Sequence, residues 1–330
     1  MLCLGIESTA HTFSCSVLEL VNSKGKILSD VRSVYNPVEG SGIHPREASR
    51  HHAEHSADVL QEALKRANVK IIEVDAVAYS AGPGLGPCLR VGAVVARCLA
   101  GYYKKPIIPV NHAVGHLDLG MLLTGAKDPL VLLVSGGHSM VLALSNKRWR
   151  VFGETLDITI GQLLDQFGRA MGFASPCGAR IEELAANSSN YITLPYVVKG
   201  NDVSYSGLLT AAKKVARKNK LNDVCFSIQE TAFAMLAEAT ERALAFCNKK
   251  ELLVVGGVAA NRRLSSMLKD VCTRQGANFF VSPINYAGDC GAQIAWTGLL
   301  EFKAGIKSRI EDAFVRQSWR LDTVDITWKS

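Results

Sequence analysis

The chain has 330 residues, 48% of them apolar and 20% charged, which fits a globular protein of about two domains of roughly 150 residues, each with its own core. No apolar run reaches the roughly 18 residues of a membrane span, "MLCLGIES" has no basic n-region or cleavage site, and nine cysteines form no C-x-x-C pair. A reduced, cytoplasmic location without membrane contact is expected. The net charge of +7 gathers in "AAKKVARKNK" and in smaller clusters at Lys147, Arg148, Arg150 and at Arg262, Arg263. Each cluster alone reads as a solvated face, and together they point to a polyanionic partner such as RNA.

In chain order, "LCLGI", the turn "ESTAHT" and "FSCSVLEL" predict a β-hairpin. "SRHHAEHSADVLQEALKRANV" has helical spacing through Val59, Leu60 and Leu64, "EVDAVAYSAGPG" is a strand entering a glycine turn, and "LRVGAVVARCLAGYY" is a helix. "KKPIIPVN" is a strand leading directly to a helix in "PVNHAVGHLDLG". After the turn "TGAKDP", a second hairpin runs through "LVLLV", "SGGHS" and "MVLAL". Two such hairpins about 130 residues apart predict two related α/β halves rather than one sheet.

The second half holds helical "IGQLLDQFGRAMG", a glycine turn at "SPCGA", a long helix from about Phe226 to Cys247 and the strand "ELLVVGG". It continues with a helix opened by "VAANRRLSSMLKDVC", the strand "NFFVS", and "YAGDCGAQIAWTGLLEFKAG", a helix whose start contains Asp289. The expected division is an N-terminal lobe over 1–129 and a C-terminal nucleotide-binding lobe over 130–291, with the closing helix, about 292–330, packing back on the first lobe.

Several chemistries can be struck out. There is no phosphate loop of the G-x-x-x-x-G-K-[ST] type, and Pro87 stands where a dinucleotide fingerprint needs its last glycine. Ala78 replaces the first glycine of a serine-hydrolase elbow around Ser80. His112 and His116 are four residues apart, so a helix brings both imidazoles to one face, where they hold a metal or simply pack. A zinc protease would need a Glu after the first histidine, and this chain has Ala113. The similarly spaced His51 and His55 lie in a charged helix and read as solvated. Glu7, Glu154, Asp157, Asp165, Glu182 and Asp289 are the carboxylates able to complete a metal site or grip ribose hydroxyls. Asp289, between small residues in "AGDCGAQ", has room to face a ligand, and with two histidines would make a 2-His-1-carboxylate set; capping a helix is its plainer use. "LLVSGGHS", "VVGGVAAN" and "SPCGA" give three small-residue turns after strands or helices, a candidate nucleotide cleft.

Taken in order, "GIESTAHTFS", "SAGPGLGPCLRVG", "VNHAVGH", "LLVSGGHS", "FGETLDITIGQLLDQFGRAMG", "LPYVVKGNDVSYSGLLTA", "SIQETAFAMLAEATERAL", "VVGGVAANRRL" and "DCGAQIAWTG" resemble the universal tRNA threonylcarbamoyltransferase family, most closely its archaeal and eukaryotic branch, the catalytic subunit of the KEOPS complex. The match covers essentially the whole chain. The resemblance implies an α/β, two-lobed actin/Hsp70/sugar-kinase-like fold around a nucleotide cleft. It implies transfer of the threonylcarbamoyl group from threonylcarbamoyl-adenylate to N6 of the adenosine beside the anticodon in tRNAs reading ANN codons, with release of AMP. By position, His112, His116 and Asp289 match the family's metal ligands. Leu133, Val134, Ser135, Gly136, Gly137, Asp165, Gly178, Glu182 and Asn261 match the stretch that binds the adenylate. The cofactors implied are one metal ion per subunit, iron foremost and zinc second, and an adenine nucleotide, either the adenylate or ATP. The implied partners are tRNA and the KEOPS subunits, including the small protein-kinase-like one.

Two departures stand out. Archaeal relatives often carry a metal-binding Tyr where this chain has Leu133, so three protein ligands are expected here and the metal's identity stays open. Glu7 replaces the Asp of the first phosphate loop of sugar kinases, which argues against ordinary phosphoryl transfer. No general base is evident. A metal-dependent endopeptidase and a non-catalytic ATP-binding regulatory module are the alternatives.

Overall fold

The computed structural model describes residues 1–22, 24–38 and 41–329. Strands β1 (Leu2–Glu7), β2 (Thr12–Val21), β3 (Lys24–Val34), β4 (Ala76–Gly82) and β5 (Ile107–Asn111) form one sheet, ordered β3-β2-β1-β4-β5. Its first three strands are an antiparallel meander, and β4 and β5 add parallel to β1. The second sheet repeats the plan. Strands β6 (Leu130–Val134), β7 (Ser139–Ser145) and β8 (Arg148–Glu154) form the meander. After a minimal hairpin of β9 (Val198–Lys199) and β10 (Asp202–Val203), strands β11 (Glu251–Val255) and β12 (Asn278–Val281) add parallel to β6. The order β12-β11-β6-β7-β8 is that of the first sheet with equivalent strands exchanged one for one.

Both predicted hairpins are present, each lengthened by a third antiparallel strand, β3 and β8, that local sequence did not announce. The sequence of β3, "KGKILSDVRSV", is the outer strand of its sheet and mostly half-exposed, so its apolar alternation is weak.

Helices α1 (Pro45–Ala67) and α2 (Gly86–Tyr103) cover one face of the first sheet, meeting Leu4, Ile6, Val17, Val77 and Tyr79. The helix between the two sheets is α3 (His112–Thr124). Every residue from His112 to Gly120 is buried, as expected of a helix that is apolar all round. On the second sheet lie α4 (Ile160–Ala170), α5 (Gly178–Ala185), α6 (Ser206–Val215), α7 (Leu221–Phe246) and α8 (Arg262–Gln275), around a core containing Phe167, Tyr205, Phe233 and Leu264. The single turn α9 (Ile284–Ala287) precedes α10 (Gly291–Lys303), which returns to the other face of the first sheet against Leu18, Ala78 and Ile108. The approach is close because side chains are missing from both surfaces. A Cβ on Gly5 would stand 2.2 Å from the amide nitrogen of Ala295, and one on Gly291 2.7 Å from that of Ser16.

Some boundaries differ from expectation. The long helix starts at Leu221, and the basic run 211–220 straddles the end of α6 at Val215. The closing helix stops at Lys303; residues 304–329 form turns, with 3-10 segments at Ile310–Asp312 and Leu321–Thr323. Leu321, Val324 and Ile326 pack with Trp149, Leu142 and α3. Asp289 lies just ahead of α10, in the link from α9.

Candidate functional site

The histidine helix is started by its own sequence. The side-chain oxygen of Asn111 accepts from the amides of Ala113 at 3.0 Å and Val114 at 3.2 Å, an N-cap that ends β5 and sets His112 at the first helical position. His116 follows one turn later, the two rings lying 4.7 Å apart and nearly perpendicular. Across from them, Asp289 Oδ1 lies 3.6 Å from His112 Nε2 and 3.3 Å from His116 Nε2. One ligand atom from each of the three falls within 4.8 Å of the others. Donors sharing a tetrahedral ion at ~2.0–2.1 Å stand about 3.3–3.4 Å apart, so these separations are already close to a coordination edge. His116 Nε2 is buried without a hydrogen bond, which a buried nitrogen ordinarily avoids. The donor set, two imidazoles and a carboxylate, therefore fits a divalent or trivalent first-row ion.

Glu7, at the end of β1, is fully buried, and its Oε2 accepts a hydrogen bond from His112 Nδ1 at 2.8 Å. Burial alone would lower the His112 pKa, but the carboxylates of Glu7 and Asp289 raise it to about 9. His116 is held low by burial in spite of Asp289. Asp289 is held well below the ordinary carboxylate range: burial opposes this, but His112 and His116 outweigh it. The three groups thus form an anion–cation cluster in which a metal ion can take the place of the His112 proton. His138, in the turn ahead of β7, is pushed down to about 3 by burial and then by His112 and His116.

The expected adenylate residues gather around the second sheet. Leu133 and Val134 are fully buried in β6, Leu133 packing with Ala113, Val114 and Leu117 of α3, so neither side chain lines open space. Ser135, Gly136 and Gly137 form the turn after β6; a Cβ on Gly136 would meet nothing within 4 Å. Ser135 Oγ accepts from the amides of Gly137 at 3.2 Å and His138 at 3.0 Å. Helix α4 points its N-terminus at this turn: its cap Thr159 donates to the Gly136 carbonyl at 2.9 Å and accepts from Gln162 N at 3.1 Å. Turn and helix end together make an electropositive cradle.

The polar groups of this set are partly engaged. Asp165 Oδ1 accepts from Cys177 N at 2.7 Å just ahead of α5, where Gly178 begins the helix, and Glu182 Oε1 accepts from Arg262 N at 2.8 Å. Asn261, expected to offer both donor and acceptor to a ligand, is the N-cap of α8: its oxygen accepts from Arg263 N and Leu264 N, and its amide donates to Gln229 at 3.0 Å. One amide hydrogen is left. Asp165 and Glu182 each keep a second oxygen. At Gly256, φ is +96° and a Cβ would lie 2.3 Å from the Val134 carbonyl, so the turn after β11 can pass under β6 only without a side chain.

Sequence reading missed Thr9, whose hydroxyl is 3.3 Å from His112 Nδ1, and Gln293, whose amide nitrogen is 3.0 Å from it. Gln293 lies four residues after Asp289, a helical spacing that could have drawn notice. Ala113, where a zinc peptidase has its Glu, is buried in apolar packing.

Among the described residues no helix is long and apolar enough to cross a membrane. HypF from T. kodakarensis has a similar fold, with TM-score 0.65 and 14% identity over 92% of this chain and 48% of that one. So does the activator of the 2-hydroxyisocaproyl-CoA dehydratase from Clostridium difficile with bound ADPNP, with TM-score 0.53 and 12% identity over 94% of this chain and 99% of that one. These likenesses agree with the two-lobed α/β architecture expected from sequence. In sequence, a tRNA N6-adenosine threonylcarbamoyltransferase of Caldivirga maquilingensis is 50% identical over 99% of this chain and 98% of its own length. One of Staphylothermus marinus is 49% identical over 98% of this chain and 99% of its own. A probable bifunctional tRNA threonylcarbamoyladenosine biosynthesis protein of Methanosarcina barkeri is 48% identical over 98% of this chain, which spans 59% of that protein. Residues 26–296 match the family described as TsaD, tRNA N6-adenosine threonylcarbamoyltransferase. The chain belongs to the tRNA N6-adenosine threonylcarbamoyltransferase family.

Proposed function

We propose that this chain transfers the threonylcarbamoyl group of threonylcarbamoyl-adenylate to N6 of the adenosine beside the anticodon in tRNAs reading ANN codons. The observation that carries the reading is the convergence of His112, His116 and Asp289 on one point in a chain 49–50% identical, over 98–99% of its length, to proteins of that name. The peptidase alternative loses its only support, since the histidine pair serves the family's site and Ala113 is no base.

His112, His116 and Asp289 would hold the metal ion. Once bound, the ion supplies Lewis-acid stabilisation of negative charge on the phosphate side of the adenylate. The Ser135–Gly137 turn and the α4 N-terminus hold the same anion by backbone amides and helix dipole. The free oxygens of Asp165 and Glu182 accept from ribose hydroxyls, and Gly178 leaves room for the purine. In the reaction the N6 amine adds to the carbamoyl carbon, the bond from that carbon to the phosphate oxygen breaks, AMP departs with the electron pair, and N6 loses a proton. That proton passes to solvent, and positioning and electrostatics carry the rate. Iron is the first choice of metal and zinc the second. We assign 1–129 to a first lobe, 130–291 to a second, and 292–330 to the return onto the first. The partners are tRNA and the KEOPS subunits, in the cytoplasm.

The test supplies the purified chain, its partner subunits, the adenylate and an unmodified tRNA transcript, and measures threonylcarbamoyladenosine by mass spectrometry of digested tRNA. Modification abolished by His112→Ala is expected. An inactive chain that still binds ATP would favour the regulatory-module reading.

A further inference from the structure

The site contains one buried charge that the reaction as derived does not use. Glu7 is 0% exposed, and an ionised carboxylate taken out of water costs several kcal/mol unless partners compensate it. Its partners are two. Oε1 accepts from the amide of Thr9 at 2.6 Å, and Oε2 accepts from His112 Nδ1 at 2.8 Å. The carboxylate cannot easily move, because Glu7 ends β1 in register with Ser14 of β2, and the next residue, Ser8, donates its amide to Ser80 Oγ at 3.0 Å.

Three polar atoms surround the same nitrogen of His112: Glu7 Oε2 at 2.8 Å, Gln293 Nε2 at 3.0 Å and Thr9 Oγ1 at 3.3 Å. The carboxylate is the nearest and can only accept. Nδ1 therefore carries the proton and donates it to Glu7; the Gln293 amide nitrogen, itself only a donor, turns to the His112 carbonyl at 3.5 Å, and the Thr9 hydroxyl closes the space around the ring. The other nitrogen, Nε2, faces Asp289 at 3.6 Å. An imidazole whose Nδ1 proton is fixed by a carboxylate has its Nε2 lone pair free and enriched for a metal.

We infer that Glu7 is a positioning residue that fixes the tautomer and ring orientation of His112, making Nε2 its ligand nitrogen and tying the metal triad to the first strand of the first sheet. The inference rests on the metal reading of His112, His116 and Asp289. A structural ion pair between Glu7 and His112 would make the same hydrogen bond but would leave metal affinity unchanged when neutralised, and the two roles separate on that point.

The experiment titrates the full-length metal-free protein with Co(II), following d–d absorption and competition with a chelator, for the unmodified chain, Glu7→Gln and His112→Ala. Glu7→Gln keeps shape and one acceptor oxygen but removes the charge; circular dichroism checks its fold. The expected result is tight, saturable Co(II) binding by the unmodified chain, binding about 10- to 100-fold weaker in Glu7→Gln with an altered d–d spectrum, and a larger loss in His112→Ala. In the Zn(II)-loaded chain, ¹⁵N shifts of the His112 ring are expected to show a protonated Nδ1 and a metal-bound Nε2. Equal Co(II) affinity and an unchanged spectrum in a folded Glu7→Gln, or metal on Nδ1, overturns this inference alone. Absence of Co(II) binding by the unmodified chain, or binding indifferent to His112→Ala, overturns the metal reading and this inference with it.

Discussion

Asp118, two residues beyond His116 on α3, is 1% exposed, and Lys329, near the end of the chain, is its cation. Lys329 Nζ lies 2.6 Å from Oδ1 and 5.1 Å from the centre of the Trp149 ring. Trp328 Nε1 and Thr297 Oγ1 donate to Oδ2 at 3.1 and 3.2 Å. The nearby carboxyl of Glu301 is pushed well above its usual range by burial and then by Asp118. Lys329→Met keeps the stem and removes the charge. Breaking a buried pair costs about 3–5 kcal/mol; two hydrogen bonds remain on Asp118 and the Lys329 side chain is 17% exposed, which brings the expected loss to roughly 2–4 kcal/mol. With unfolding entropy of about 2.1 cal/mol/K per residue, a chain of this length loses about 3–6 °C in Tm, read by near-UV circular dichroism. Since the pair is buried, the loss should change little between about 0.1 and 1 M salt. Asp118→Asn in the Lys329→Met background should recover much of it, with a coupling of at least ~1.5 kcal/mol. Losses that add within ~0.5 kcal/mol, or an unchanged Tm in Lys329→Met, would refute the assignment of Lys329 as the counter-charge of Asp118.

Asp289→Asn should leave the fold intact by circular dichroism, while metal content by elemental analysis falls to under about a tenth and transfer drops by roughly 100-fold or more. Gly256→Ala should destabilise by more than ~2 kcal/mol in urea unfolding and weaken adenylate binding, because the added Cβ meets the Val134 carbonyl. Asp157 accepts from Ser204 Oγ, Tyr205 N and Ser206 N; burial opposes ionisation, but these bonds lower its pKa to about 2. A depressed folded pKa gives stability that is full above the ordinary value near 3.8 and lost as pH falls towards 2. The Tm advantage over Asp157→Asn should therefore be constant above about pH 5 and close below it. Charge reversal at Lys213, Lys214, Arg217 and Lys218 should weaken tRNA binding and flatten its salt dependence by ~0.7–0.9 for each phosphate that is no longer neutralised; unchanged affinity and slope would remove this surface from the tRNA path.

The two halves were readable because each begins with an apolar hairpin bent around hydroxyl and glycine residues, and the helix of His112 and His116 because an apolar strand runs straight into histidines spaced four residues apart. What escaped reading depends on distance along the chain. Glu7 and His112 are separated by 105 residues, and nothing near either one announces their hydrogen bond. Asn261 carried two signals at once, a cap before "RRL" and a donor–acceptor pair beside a glycine turn, and the cap takes most of its bonding capacity. The segment after Lys303 has enough charged and apolar residues to suggest a continuing helix. It folds as turns: Gly305 takes φ +83° just past α10, the Trp319 carbonyl accepts from Asn111, and Leu321, Val324 and Ile326 pack against α3 and Trp149.

A helix after the last strand of each sheet reaches the other sheet: α3 leaves β5 to lie between the two sheets, on β6 and β11 as well as β4 and β5, and α10, beyond the turn α9, lies on β1, β2 and β4. During synthesis the first sheet is complete at Asn111, yet the face carrying Cys3, Leu18, Ala78 and Ile108 is covered only at its edge, by Leu119, Leu122 and Leu123 of α3, until α10 has emerged, almost 200 residues later. At ~5–20 residues per second that is roughly 10–40 s of exposed apolar surface. A ribosome-bound chain halted before Gly291 should therefore bind holdase chaperones through this face, and one released after Lys303 should not.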